Sequence, residues 1–158
     1  MSTSLIEAAL LTRLKASAAL AALVGTRIFP HVARQGTVLP YLVYSATQSP
    51  EYDLGGNAVG LSQCEFTVEI YTEGEAAYKQ GKQIVSEVRN MLDGLRASIN
   101  VTVGVNVTSV SVRTCIIQPG GIADSYVAPI DGSEYGRAVH VLEFSVGFFE
   151  SLPTASTL

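Results

Sequence analysis

The chain has 158 residues, 47% of them hydrophobic and 15% charged, with a formal net charge of −4. This acidic balance excludes a dedicated nucleic-acid binder, which would carry a basic stripe, and no run reaches the ~20 apolar residues that a membrane span needs. A chain this long buries roughly 70% of its unfolded surface, so the apolar content supports one core, and its surplus points to protein–protein surface.

The N-terminal stretch Leu5–Val24 is rich in Ala and Leu. Glu7, Arg13 and Lys15 interrupt it and no basic segment precedes it, so it reads as domain helix, not signal peptide. The first helix is expected from about Ser4 to Ala16. Ser17 is placed to cap a short second helix over Ala18–Val24, which Gly25 closes. Leu10, Leu14, Leu20 and Leu23 supply inward contacts. Arg27-Ile28-Phe29-Pro30 leads out as an extended piece, and Pro40 opens the first long strand, Tyr41–Thr47; proline is tolerated at a strand's first position. Residues 48–61 hold Pro50, Gly55, Gly56 and Gly60 and are expected as a long loop.

Residues 62–94 carry the clearest pattern. From Cys64 to Ile70 apolar and polar residues alternate without a fault, the period of a strand with one buried and one wet face. The period then changes to 3.6. Ala77, Gly81, Ile84, Val88 and Met91 form one stripe, which Tyr78, Val85 and Leu92 widen. Gly94 stands where a left-handed stop belongs. Residues 93–100 form the next link. Over 101–117, Val101, Val103, Val105 and Val107 share one parity and Val110 and Val112 the other, so a bulge or break is expected near Thr108-Ser109. A second loop is expected over 118–136, with Pro119, Gly120, Gly121, Pro129, Gly132 and Gly136. The last strand is Arg137–Glu150, with Leu142, Phe144, Val146 and Phe148 facing in and Glu143, Ser145 and Gly147 facing out. These elements give one α+β domain over 1–150, ordered α-β-β-α-β-β. Its four-stranded, mostly antiparallel sheet would have helices on one face. Residues 151–158 are expected as a flexible tail.

Reactive constellations are sparse. Two His and two Cys occur, at neither zinc-finger nor HExxH spacing. His31 and His140 read as structural, and Cys64 and Cys115 as reduced core thiols. Gly60-Leu61-Ser62-Gln63-Cys64 departs from GxSxG at its last position and enters a strand instead of leaving one. Gly55-Gly56 and Gly120-Gly121 lead into no phosphate-binding helix. Asp53, Asp124 and Asp131 read as turn residues. No catalytic residue, metal site or cofactor is expected. Glu65, Glu69 and Glu143 fall on wet strand faces with little Lys or Arg nearby. They read either as a solvated acidic face or as a surface that repels a polyanion or meets a basic partner.

The ordered set of short segments carries a family resemblance. Ala22-Leu23-Val24-Gly25-Thr26-Arg27-Ile28-Phe29-Pro30 is followed by Leu39-Pro40-Tyr41-Leu42-Val43-Tyr44 and Tyr52-Asp53-Leu54-Gly55-Gly56. Then come Phe66-Thr67-Val68-Glu69-Ile70-Tyr71-Thr72, Ala76-Ala77-Tyr78 opening a helix that ends Leu92-Asp93-Gly94, and a closing strand from Tyr135 to Val146. This order resembles the tail completion, or tail terminator, family of long-tailed bacteriophages, over about residues 5–150. The loop at 118–136 is longer than the family's usual link. The resemblance implies a structural protein of the virion neck, present in the host cytoplasm during assembly. It implies a homo-oligomeric ring, typically of six subunits, on the head-proximal end of the tail tube. Such a ring stops tube growth and offers the surface that joins the head–tail connector. Implied partners are other copies of the chain, the tube protein, the connector or stopper, and genome DNA passing through the bore without specific binding; no membrane is implied. On this reading Glu65, Glu69 and Glu143 face the bore or a neighbouring subunit. Tyr52, Asp53, Leu54, Ile122, Tyr126 and Val127 in the two loops are candidates for docking. The alternatives are another neck or tube component, or an α+β ligand-binding or regulatory oligomer.

Overall fold

The computed structural model describes residues 3–52, 58–128 and 136–149. Helix α1 (Thr3–Lys15) buries Ile6, Ala9, Leu10 and Leu14, a three- and four-residue spacing that keeps one stripe inward. Ser17 then caps α2 (Ala18–Val24). Its hydroxyl accepts the Leu20 N–H at 3.1 Å, and Gly25 closes the helix at φ 60°, a conformation that costs glycine little. Leu20 and Val24 are buried and Leu23 is partly buried. Helix α3 (Ala77–Leu92) buries Ala77, Gly81, Ile84, Val85, Val88 and Leu92. Of its expected stripe, Met91 is only partly buried and Tyr78 is exposed. Asp93 follows as C-cap and Gly94 takes φ 80°. Arg13 of α1 donates to the Met91 carbonyl at 3.1 Å, tying the first helix to the end of the third.

Among the described residues the sheet has six strands, not the expected four, in the order β1-β2-β3-β6-β5-β4. The strands are β1 (Ile28–Pro30), β2 (Tyr41–Tyr52), β3 (Ala58–Glu73), β4 (Ala97–Val103), β5 (Asn106–Val127) and β6 (Arg137–Phe149). Strand β1 runs parallel to its neighbour, β2; the other pairs among the described residues are antiparallel. Two strands were hidden in the sequence. One is the extended piece at Ile28, too short to show a period. The other comes from the stretch read as one broken strand over 101–117. Its break is a hairpin turn at Gly104-Val105, with Gly104 at φ 62° and Val105 almost fully exposed, not a bulge near Thr108-Ser109. Thus Val101, Val110 and Val112 are buried while Val107 is exposed. Part of the link expected over 93–100 belongs to β4.

Both long loops are shorter than expected. β2 continues to Tyr52 and β3 begins at Ala58, with a register shift between Pro50 and Tyr52. Proline is admitted because of its position. The Leu42 N–H and the Tyr44 carbonyl point outward, to Arg27 and His31. Pro50 shares their parity, so its missing N–H leaves the β3 ladder intact. Likewise β5 runs through the second predicted loop to Val127, absorbing Pro119 and Gly120 (φ 71°) in an irregularity between Ile117 and Ile122. Bulges of this kind bend a strand without ending it.

The core lies between the helices and one sheet face. Phe66 opposes Phe144, Val68 opposes Leu142 and Cys64 opposes Val146, all at 0 to 1% exposure. Full burial of each large side chain contributes roughly 1.5–3 kcal/mol. Burial pushes both thiols, Cys64 and Cys115, up to about 12, so they are inert at neutral pH.

Candidate functional site

Alternation along β3 and β6 sends every second residue to the helix-free face. Glu65 opposes Ser145, Thr67 opposes Glu143 and Glu69 opposes Val141. Glu143 therefore sits diagonally between Glu65 and Glu69, within reach of both by the usual cross-strand geometry. Glu65 and Glu143 are exposed and Glu69 is partly so. None of the ion pairs among the described residues involves them. Glu69 accepts the Tyr71 hydroxyl at 2.8 Å. Burial, then this bond, pushes the Tyr71 phenol up to about 12. Tyr71 stacks on Tyr41 with ring centroids 5.0 Å apart. The face is thus acidic in its middle and aromatic at one end. Three carboxylates this close repel one another and any polyanion brought near.

The docking candidates are dispersed. Asp53 and Leu54 lie outside the described residues, as do Asp131 and residues 150–158. Tyr52 ends β2. Ile122, Tyr126 and Val127 belong to β5 instead of a loop, with 40%, 67% and 42% exposure. Ile122 and Tyr126 oppose Leu142 and Ala138 and so share the helix side, whereas Val127 opposes Arg137. Beside Ile122 runs an open groove against α3, lined also by Lys82, Val85, Ser86, Arg89 and Asn90.

Asp124 is not a turn residue. It stands in β5 and accepts from Lys82 Nζ at 2.6 Å and from His140 Nδ1 at 2.5 Å. Both bonds, Lys82 first, hold its carboxyl below the usual range. His140 is fully buried in β6, and its Nε2 has no hydrogen-bond partner among the described residues. A side chain on Gly81 of α3 would come within 2.2 Å of Nε2 and Cδ2. The imidazole thus fills the space that glycine leaves under the helix, which accounts for a structural histidine. The acid–imidazole pair was invisible in the sequence because Asp124 and His140 meet only through the β5–β6 register. Among the described residues no group of three or more His, Cys, Asp or Glu side chains could hold a metal ion, and no helix is long and apolar enough to cross a membrane.

A family model described as "Tail completion protein gp17" matches residues 8–114. No curated protein matches the chain. Among solved structures, the chain is similar to one in the "Virion of native gene transfer agent (GTA) particle". The two share 18% identity and a TM-score of 0.62, over 92% of this chain and 98% of that one. At that identity the likeness shows a shared fold.

Proposed function

We propose, from the premise that this chain belongs to the tail completion protein gp17 family, that it closes the tail tube of a phage-like particle. Its structural role in the tail follows from the family. The finer reading is that copies of the chain form a ring, of six subunits as the resemblance implies, on the head-proximal end of the tube. The ring stops tube polymerisation and offers the head connector its joining surface. The helix-free face turns toward the bore, where Glu65, Glu69 and Glu143 keep passing DNA from adhering. The proposed domain is 1–150. One observation carries this reading: the sheet keeps one face for its helices and gathers on the other three carboxylates that form no ion pair among the described residues. Phosphate contacts dominate nucleic-acid affinity, so a channel through which DNA must slide is served by such a face.

Electron microscopy of tails assembled with and without the protein tests the reading. Tubes of uncontrolled length in its absence, and a ring density at one tube end in its presence, are the expected result. Tubes of normal length without it would refute termination.

A further inference from the structure

We propose that the loop 31–39, which joins β1 to β2, is an arm by which each copy of the chain docks on the exposed apolar side chains of β5 in the next copy. This contact deepens the ring reading above and rests on it.

The loop is tied at both ends and closed at its tip. The His31 N–H donates to the Tyr44 carbonyl at 2.8 Å, and the Val32 N–H to the Pro30 carbonyl at 2.6 Å. At the other end Arg27 Nε donates to the Pro40 carbonyl at 2.8 Å. At the tip the Thr37 N–H and hydroxyl both donate to the Arg34 carbonyl. Gly36 takes φ 79° there, the left-handed conformation that some tight turns require of their third residue. This braced loop nevertheless holds Val32 and Val38 outward, at 75% and 69% exposure. Arg34, between them, is also exposed and forms no ion pair among the described residues. A loop ordered in advance loses less freedom when it binds, and grouped exposed apolar side chains mark contact surfaces.

The placement of the other exposed apolar side chains, and charge, make the partner a second copy. Ile116, Ile122, Tyr126 and Val127 are exposed on β5, toward the opposite margin of the sheet from β1 and β2. Strand β3, between the two, has no exposed large hydrophobic side chain among the described residues. The groove beside Ile122, lined also by Val85, Ser86 and Asn90, leaves room for an incoming loop. From Gly25 to Pro50 the chain's Lys, Arg, Asp and Glu are Arg27 and Arg34, both cations. From Ile116 to Val127 the one such residue is Asp124. Its carboxylate is held by Lys82 and His140 yet stays 32% exposed, and a carboxylate can accept at about four positions, so it has capacity left for a neighbour's Arg34. Two arms meeting each other would oppose like charges, whereas an arm on β5 brings opposite ones together. The contact therefore joins unlike surfaces on opposite sides of one subunit and repeats head to tail, the arrangement from which rings are made.

Photo-cross-linking of assembled tails tests this. A benzophenone side chain is placed at position 35, an exposed site at the tip of the arm, and the adducts are identified by mass spectrometry. The expected adduct joins the arm to peptides of the same chain from β5 within 116–127 or from α3 beside the groove, and gives a ladder of covalent multimers on a denaturing gel. Rings visible at tube ends without that adduct would overturn the contact and leave the ring standing, whether position 35 captures the tube protein, the connector, DNA or nothing. A second measurement uses Val32→Asp combined with Val38→Asp. Both sites are exposed, so the melting temperature of the free subunit should stay at the parent value while rings at tube ends are lost. Rings as abundant as the parent's would overturn the contact. Absence of rings with the unaltered protein would overturn both readings.

Discussion

Gly81→Ala sets two effects of known sign against each other. In an exposed helix the change gains about 1 kcal/mol, because alanine loses less backbone freedom than glycine. Here the new methyl would lie 2.2 Å from His140 Nε2 and Cδ2, more than 1 Å inside the ~3.5 Å of ordinary contact. His140 cannot retreat cheaply, since it is fully buried and its Nδ1 is bonded to Asp124. Overpacking of this kind costs about 1–3 kcal/mol, and the depth of the overlap points to the upper end. The net expectation is a loss of about 2 kcal/mol, or a fall in melting temperature of about 4–8 °C for a chain this long. Thermal and urea unfolding of the purified subunit measure it. A double-mutant cycle isolates the cause: in a His140→Ala background the same change should stabilise by about 1 kcal/mol, because the obstruction is gone. A Gly81→Ala protein that melts at or above the parent temperature would refute the reasoning. So would a cycle with no coupling.

Four further outcomes are expected. Val68→Asp places a carboxylate in a fully buried site facing Leu142 and Tyr44 and should cost several kcal/mol; a soluble variant with unchanged melting would mean that the other sheet face is the buried one. Ser17→Ala removes the hydroxyl that accepts the Leu20 N–H and should cost about 1 kcal/mol, read from the urea midpoint. Combining Glu65→Lys, Glu69→Lys and Glu143→Lys should slow DNA ejection or spoil assembly, and normal infectivity would count against a bore-facing role. Alkaline pH should destabilise the fold. Cys64, Cys115 and Tyr71 are all pushed up to about 12, so the folded state keeps protons that the unfolded chain has lost. The stability they contribute is complete below about pH 9 and declines as pH rises toward about 12. A urea midpoint that stays level between about pH 8 and pH 11 would contradict this, as would rapid thiol labelling of the native protein near pH 8.

Local periodicity determined much of this molecule by itself. The Ser17 cap, the stripe of α3, the stop at Gly94 and the alternation of β3 and β6 are each set by neighbours a few residues apart, where hydrogen bonding and burial have a fixed period. The grouping of Glu65, Glu69 and Glu143 on one face was legible for the same reason. Strand ends were not. Pro50 and Pro119 look like strand breakers in isolation, yet Pro50 lies on an outward parity and Pro119 in a bulge, positions that only the pairing partners define. The hairpin at Gly104-Val105 was misplaced because the valine parity records which face is buried, not where the chain turns. The Asp124–His140 pair and its demand for glycine at 81 arise from register and sheet order. These contacts join residues far apart in the chain, and no short-range pattern encodes them.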